Sequence, residues 1–416
     1  MHRLIAPART ILRQRGFLGL LGCTLLLGLT YSFVGPFFSM FGTLEVGMSP
    51  AVFGIFMMTT SVSAIVLSTA LARWSDTRCS RRSLLLLGGL CGTLGYAGYA
   101  VVRDVVWLTV IGSLLLGVAS ITFSQLFAYA RELLARSGVS SGDTPFYMNV
   151  FRLFFALAWT AGPATASWVM IRYSYRGTFL VAALCFLLFL LAVLRFIPIA
   201  PPWTSTAAVA ATPLRQALAR PDLLAYFTAF MLVFISSTIN MMNLPLFVLQ
   251  TLGGSGRHVG IIYSLTPVFE LPFMLYFGLL ASRGDQARLI RIAVLIAVAY
   301  YGSLTLVRAP WQIYPLQILG AAVTAVISGV GITFFQNFLP DQVGTATNLY
   351  SSAARTGSTV GYLLFGLLAA AFGHRAVFLA CTALCTTALA ILFRYRARSP
   401  HATGRTGGMW SDGHHA

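Results

Sequence analysis

The most regular feature of the chain is a series of apolar stretches separated by short polar breaks. A helix needs about 20 apolar residues to cross the hydrocarbon core of a bilayer, and each stretch is long enough to do so. The predicted spans are 16–41, 51–73, 83–102, 105–130, 146–171, 177–197, 223–250, 257–282, 286–307, 311–337, 343–371 and 375–395. The pattern therefore predicts an all-α membrane protein with twelve transmembrane helices.

The composition supports a membrane location. Hydrophobic residues make up 57% of the 416 residues and charged residues 9%, whereas soluble domains carry about 25% charged residues. A chain of this length and composition could not cover its surface in water, so the lipid bilayer is its expected solvent. The first apolar run is too long for a signal peptide and no small-residue cleavage site follows it, so we interpret it as the first spanning helix.

The basic residues predict the orientation. All 28 are arginine, against ten acidic residues. Twenty of them lie in the alternate segments that include both termini, six lie on the opposite side, and Arg152 and Arg355 fall inside spans. Positive loop charge favours the cytoplasm, so we expect both termini there and the protein in the inner membrane. The excess positive charge then determines topology, and no nucleic-acid partner is expected.

A polar segment divides the chain near its middle. Residues 198–222 contain five prolines and predict a cytoplasmic linker between an N-terminal half, 1–197, and a C-terminal half, 223–398, with a disordered tail over 399–416. The halves resemble each other: SPAVFGI at 49–55 matches SGRHVGI at 255–261. Pro36 and Pro245 interrupt the first helix of each half, and Arg152 and Arg355 lie at a similar offset. We therefore expect two pseudo-symmetric six-helix halves.

Charged residues inside spans are candidates for function. A charge at the bilayer centre costs roughly 2.5–3.5 kcal/mol on insertion scales, so such side chains should face a central cavity. Glu270 is the acidic residue deepest in a span, and Arg152 and Arg355 are the matching cations. We expect Glu270 to carry a proton, because a carboxyl alternating between apolar and cationic surroundings changes its protonation. The simpler interpretation is an ion pair that joins two helices.

Solute binding requires hydrogen-bonding groups beside flat apolar faces. Polar and aromatic residues at span depth provide both, and Trp159 and Tyr263 could stack on a ring. For any single asparagine the alternative is a hydrogen bond between helices. The predicted binding residues are Arg152, Asn240, Asn243, Trp159, Gln125, Gln336, Asn348 and Arg355.

Two segments resemble motifs of the major facilitator superfamily. The loop 72–82 (ARWSDTRCSRR) resembles the Gly-x-x-x-Asp-Arg-x-Gly-Arg-Arg loop between the second and third helices, although Ala72 replaces the glycine and one residue is inserted. Gly162 and Pro163 resemble a Gly-Pro motif of efflux-type members. The resemblance implies a major facilitator fold. The residues expected to act in gating are Asp76, Arg81, Arg82, Gly162, Pro163, Arg131 and Glu132.

A more specific resemblance covers most of the chain. Segments similar to the bacterial sugar efflux transporter family occur in that family's order at 125–132 (QLFAYARE), Arg152 with 157–159 (LAW), 244–246 (LPL), 270–272 (ELP), 335–340 (FQNFLP) and 344–347 (GTAT). The resemblance implies proton-linked export of a sugar or sugar-like solute by alternating access. The expected partners are that solute and protons, and the expected oligomeric state is a monomer.

Other functions are less consistent with the sequence. A cavity of carboxylates and aromatic rings alone would favour a drug efflux antiporter of the same fold. A sugar uptake symporter is the third alternative, because the residues do not determine the direction of transport. A membrane-bound enzyme needs clustered catalytic groups, yet the six histidines lie near the termini or in loops. A receptor would usually add a folded extramembrane domain. No cofactor or metal is expected, since the six cysteines lack ligand spacing.

Overall fold

The computed structural model describes residues 15–77, 80–137, 144–198, 220–339 and 342–395. Within these ranges, ten helical rods are long and apolar enough to cross a membrane. We number them α1 (15–45), α2 (Pro50–Thr77), α3 (Arg81–Val101), α4 (105–136), α5 (Thr144–Phe196), α6 (221–251), α7 (Gly256–Arg283), α8 (Gln286–Leu306), α9 (310–338) and α10 (Val343–Arg394). The prediction of an all-α membrane protein is confirmed.

The two longest rods are sharply broken. The backbone of α5 leaves helical geometry at Tyr173 and at Ser174, where φ is 59°. That of α10 does so at Gly373, where φ is 75°. Positive φ is easy for glycine and strained for other residues, so the break at Ser174 is the more costly of the two. Each rod therefore changes direction near residue 30 of its length.

Four rods contain wider or tighter turns. Rod α1 runs from Arg15–Val34 through a 3₁₀ turn, Gly35–Phe37, into a π-helical turn, Phe41–Glu45. Pro36 explains the first change, because proline removes a backbone donor and blocks the regular hydrogen bond. Such turns re-aim side chains and are frequent at functional sites. The remaining π-helical turns are Gly112–Leu116 in α4, Phe247–Thr251 in α6 and Ala325–Val330 in α9.

Small residues let the helices approach closely. A Cβ atom added at Gly28 of α1 would lie 2.7 Å from the Cβ of Ala158 on α5, and Ser32 donates to the Ala158 carbonyl at 3.2 Å. Rods α6 and α10 pack in the same way: a Cβ at Gly361 would lie 2.8 Å from the Cβ of Thr238. Close backbone approach is the main source of packing energy between membrane helices. We refer to α1–α5 as the first group of helices and to α6–α10 as the second.

The two groups meet mainly at one end of the bundle. The end of the bundle near residues 196 and 221 is called the linker end. The end near residues 45–50, 173 and 373 is called the opposite end. At the opposite end α2 and α10 touch backbone to backbone, since a Cβ at Gly54 would lie 2.8 Å from the Cα of Gly366. Three hydrogen bonds also join the groups: Ser167 Oγ to Gly256 O (2.9 Å), Ala164 N to Ser264 Oγ (3.1 Å) and, deeper, Ser61 Oγ with Thr359 Oγ1 (2.9 Å).

Candidate functional site

A cavity of about 360 Å³ lies within the bundle, mainly among α6–α9, with α5 as its remaining wall. Its lining is mixed: aromatic and aliphatic faces surround a few polar side chains. The cavity is at mid-depth, because Glu270 lies midway along α7 and Asn240 lies eleven residues before the end of α6. The sequence-predicted residues that line it are Glu270, Asn240, Trp159 and Tyr263. The structure thus brings together the predicted carboxyl, one amide and both predicted stacking rings.

Glu270 has no fixed partner. Its side chain is half-buried in the cavity wall, and among the described residues it makes neither an ion pair nor a hydrogen bond. The ion pair with Arg152 or Arg355 that the sequence left open is absent in this conformation. Pro267 and Pro272 flank Glu270 within α7, and each removes a backbone donor. Because the carboxyl of Glu270 has no partner among the described residues, it is free to exchange a proton or to accept a hydrogen bond from a solute.

Two buried polar atoms in the wall are unpaired. The Oδ1 atom of Asn240 and the Nε1 atom of Trp159 are buried without a hydrogen-bond partner among the described residues. A buried polar group left unpaired costs about 1–3 kcal/mol. One of these atoms is an acceptor and the other a donor. In this conformation neither atom is exposed to the cavity, so each side chain must turn before a solute hydroxyl can pair with it.

A hydrogen-bonded chain supports the same wall. The Thr266 hydroxyl donates to Gln317 Oε1 at 2.8 Å, and Gln317 Nε2 donates to the Tyr300 hydroxyl at 3.4 Å and to a main-chain carbonyl of its own helix. Because Gln317 is buried and uses both ends of its amide, it fixes the orientation of its neighbours.

A second cavity, of about 470 Å³, lies on the other side of Trp159, mainly within α1–α5. Its wall is mainly apolar, with Tyr31, Phe38, Tyr96 and Tyr99 among its rings, and none of its described lining residues is charged. Three residues line both cavities: Phe155, Trp159 and Met241.

The remaining predicted binding residues lie elsewhere. Asn243 is fully buried near the opposite end, where its Nδ2 donates to the carbonyl of His374 and its Oδ1 lies 2.8 Å from that residue's Nδ1. Gln336 donates to Thr347 at 3.0 Å. Three others are exposed and line neither cavity: Arg152, Asn348 and Arg355.

The predicted gating residues form a charge cluster at the linker end. Arg81 of α3 binds Glu132 of α4 at 3.1 Å and donates to Gln125 at 3.0 Å, and Arg136 binds the same carboxylate at 2.6 Å. Gln125, predicted to bind solute, therefore belongs to this cluster within one group of helices. Arg82 donates to the Leu194 carbonyl at 3.3 Å.

The other gating predictions have simpler positions. Arg131 is exposed. Gly162 and Pro163 are buried, and Gly162 leaves no room for a Cβ beside Ser32 of α1. The side chain of Asp76 lies outside the described residues, as do most of the linker and the C-terminal tail.

Sequence reasoning missed several residues of the site. Gln317, Thr266 and Tyr300 are polar groups at span depth, so the criterion that selected Asn240 could have found them. Phe155 and Met241 carry no such signal, because an apolar residue facing a cavity is indistinguishable in sequence from one facing lipid. The expectation that every histidine lies near a terminus or in a loop was wrong for two of them. His258 lies in the first turn of α7, and His374 directly follows the break of α10.

Comparison with known proteins assigns the family. The sequence matches the profile of the Major Facilitator Superfamily over residues 20–347 and 231–412. The chain belongs to this superfamily. A protein of Deinococcus radiodurans named putative sugar efflux transporter is 38% identical over 371 residues, which cover 88% of this chain and 94% of that protein. Sugar efflux transporter A of Dickeya chrysanthemi is 32% identical over 361 residues, covering 87% and 91%.

Solved structures agree on the fold. The crystal structure of the nucleoside transporter NupG superimposes with a TM-score of 0.74 at 15% identity, covering 92% of this chain and 98% of that one. A D-xylose-proton symporter superimposes with a TM-score of 0.70, also at 15% identity, covering 91% and 97%. The resemblance to the bacterial sugar efflux family is confirmed by the relatives, and the ten apolar helices make the protein a multi-pass inner membrane protein.

Proposed function

We propose that this protein exports a sugar or sugar-like solute by proton antiport with alternating access. The sugar efflux transporters that it resembles along most of its length support the solute class. The observation that carries the proposal is the 360 Å³ cavity, which combines aromatic faces, an unpaired amide oxygen on Asn240, an unpaired N–H on Trp159 and the partnerless carboxyl of Glu270. Hydroxyl groups complement the amide oxygen and the indole N–H, and a proton complements the carboxyl.

The architecture belongs to the same proposal. The breaks at residues 173–174 and 373 would separate α5 and α10 into two spans each, which gives twelve helices in two six-helix halves. Corresponding features in the halves support the duplication: both first helices end in π-helical turns, Phe41–Glu45 and Phe247–Thr251, and both fourth helices contain one. With the linker end in the cytoplasm, as the arginine distribution indicates, the closed opposite end makes this conformation inward-facing.

The site residues have distinct proposed roles. Glu270 carries the coupling proton, while Asn240 and Trp159 bind solute on a wall that Gln317 orders. Arg152 and Arg355 lie outside the cavity in this conformation, so we propose that they approach the solute or Glu270 only in another access state. The cluster of Arg81, Glu132 and Arg136 stabilises the linker end of the first group of helices. The transporter acts as a monomer in the bilayer and needs no cofactor.

Counterflow in proteoliposomes tests this function. Purified protein is reconstituted with an unlabelled sugar inside, and entry of the same radiolabelled sugar is measured across a panel of mono- and disaccharides. We expect transient accumulation for at least one sugar, lost in Asn240→Leu. Absence of counterflow for every sugar, with efflux of lipophilic cations instead, would contradict the proposal.

A drug efflux antiporter is the second candidate. The 470 Å³ cavity, whose wall is mainly apolar and uncharged, favours it. A multidrug resistance protein MdtG of Serratia proteamaculans is 29% identical over 135 residues, 31% of that protein. The polar wall of the other cavity argues for hydroxylated solutes, because an apolar cation would leave the Oδ1 atom of Asn240 unpaired. Reversing the imposed pH gradient distinguishes export from the third alternative, sugar uptake by symport.

A further inference from the structure

The two cavities are separated by a thin partition of three side chains. Phe155 and Trp159 come from α5, and Met241 comes from α6; these are the residues that line both cavities. Phe155 and Trp159 are four residues apart and therefore lie on one face of their helix. Met241 approaches them from the other group of helices. The partition thus crosses the boundary between the groups, where a transported solute must lie.

Rod α1 supports the partition from one side. A Cβ atom added at Gly35 would lie 2.9 Å from the Cε of Met241 and 3.3 Å from the Cη2 of Trp159. Both side chains therefore rest against the backbone of α1 at its 3₁₀ turn, where a larger residue would displace them. Gly35 therefore lies at the point where the partition meets α1.

The three members differ in their freedom to move. Phe155 is held by ring contacts, with its centroid 5.1 Å from that of Phe123 and 6.3 Å from that of Tyr31. Met241 has an unbranched, flexible side chain that adapts to irregular space. Its backbone is fixed, because the Tyr263 hydroxyl donates to its carbonyl at 2.9 Å. Met241 is therefore a flexible side chain on an anchored backbone, whereas Phe155 is held in place.

A second observation places solute against this partition. The buried Nε1–H of Trp159 has no partner among the described residues, and an unpaired buried donor is costly unless a ligand satisfies it. A solute oxygen that accepts from this N–H, once the indole has turned toward the cavity, contacts the partition directly. A solute too long for the 360 Å³ cavity extends past Met241 into the other cavity.

We infer that Met241 sets the upper size limit of the transported solute by closing the passage between the two cavities. The inference rests on the proposed sugar export. Truncating Met241 removes the flexible part of the partition and leaves the anchoring bond from Tyr263 to its main-chain carbonyl intact. A longer solute then gains access to both cavities without displacing a side chain.

Competition in counterflow tests the inference, with glucose and its α-linked dimer maltose as probes. We expect Met241→Ala to raise the ratio of maltose to glucose kcat/KM about tenfold, the lower end of what a single steric contact in a pocket contributes. Met241→Leu keeps the side-chain volume and should keep the wild-type ratio. Met57→Ala is the matched control, because Met57 lines the 470 Å³ cavity alone and its truncation adds similar space without opening the partition.

The outcomes separate this inference from the proposed function. A wild-type protein that carries no sugar contradicts sugar export itself. The inference alone is overturned if the wild type shows glucose counterflow and Met241→Ala leaves the ratio of maltose to glucose kcat/KM unchanged. It is also overturned if Met241→Ala transports no maltose. Equal changes in Met241→Ala and Met57→Ala overturn it as well, because volume rather than the partition would then determine selectivity.

Discussion

The contact between Gly54 and Gly366 offers a direct perturbation of the closed end. A Cβ atom added at Gly366 would lie 2.6 Å from the carbonyl oxygen of Pro50 and 2.9 Å from the Cα of Gly54. Ordinary contact begins near 3.4 Å, and the obstructing atoms belong to backbone, which cannot rotate away. Gly366→Ala therefore requires α2 and α10 to separate at the opposite end. We expect the variant to favour the conformation that is open there.

The size of the shift follows from the cost of overpacking. Extra methyl groups in a well-packed contact cost about 1–3 kcal/mol, and a difference of that size changes a two-state equilibrium about 5- to 150-fold. The cost falls on the closed state alone, because α2 and α10 no longer touch at this point once that end opens. A transporter whose two states are nearly balanced would then populate mostly the open one.

Spin labels can measure this redistribution. Val52 and Phe372 are exposed near the contact, on α2 and α10, so labels attached to cysteines there report the separation by double electron–electron resonance after the native cysteines are replaced. The matched control is Gly278→Ala, since Gly278 also lies within a helix but has no heavy atom within 4 Å of an added Cβ. Both changes raise helix propensity equally. Identical distance distributions in the two variants would refute the reasoning.

Two further predictions follow from the site. Asn243→Leu should lower the melting temperature in detergent, because it removes the partner of the carbonyl and of the Nδ1 atom of His374 at about 1–3 kcal/mol. Asn240→Leu should reduce counterflow and preserve stability; the reverse pattern would contradict the assignment of these two amides. Arg152→Lys keeps the charge but loses the planar, bidentate guanidinium. If Arg152 binds solute in another access state, this variant should insert normally into the membrane but transport much less; full activity of Arg152→Ala would show that the residue has no role in the transport cycle.

Much of the fold could be predicted because the bilayer imposes a simple pattern. The apolar stretches located each rod, and the breaks at Ser174 and Gly373 lie between predicted spans. The π-helical turns were not predicted, because they depend on how neighbouring helices pack rather than on residue type. Pro36 indicated that α1 is interrupted, although not that a π-helical turn follows.

The site was partly predictable for a related reason. Glu270, Asn240 and Trp159 stand out as polar or amphipathic groups within apolar runs, and all three line one cavity. Asn243 carries the same signal and lies one helical turn from Asn240, yet it binds His374 at the break of α10. Periodicity gives the approximate face of a helix but not the neighbour that a particular residue meets. The exposed positions of Arg152 and Arg355 illustrate the same limit.

The most direct test of the account is pH-driven transport by Glu270→Gln. Everted membrane vesicles with an acidified interior should accumulate sugar when they contain the wild-type protein, because protons leave as sugar enters. The glutamine variant imitates the protonated acid permanently, so it should lose this accumulation and retain sugar counterflow, which requires no net proton movement. The account would be contradicted if Glu270→Gln still accumulated sugar against its gradient with the pH gradient as the sole energy source. Another acid, such as Glu132 or Asp76, would then have to carry the coupling proton.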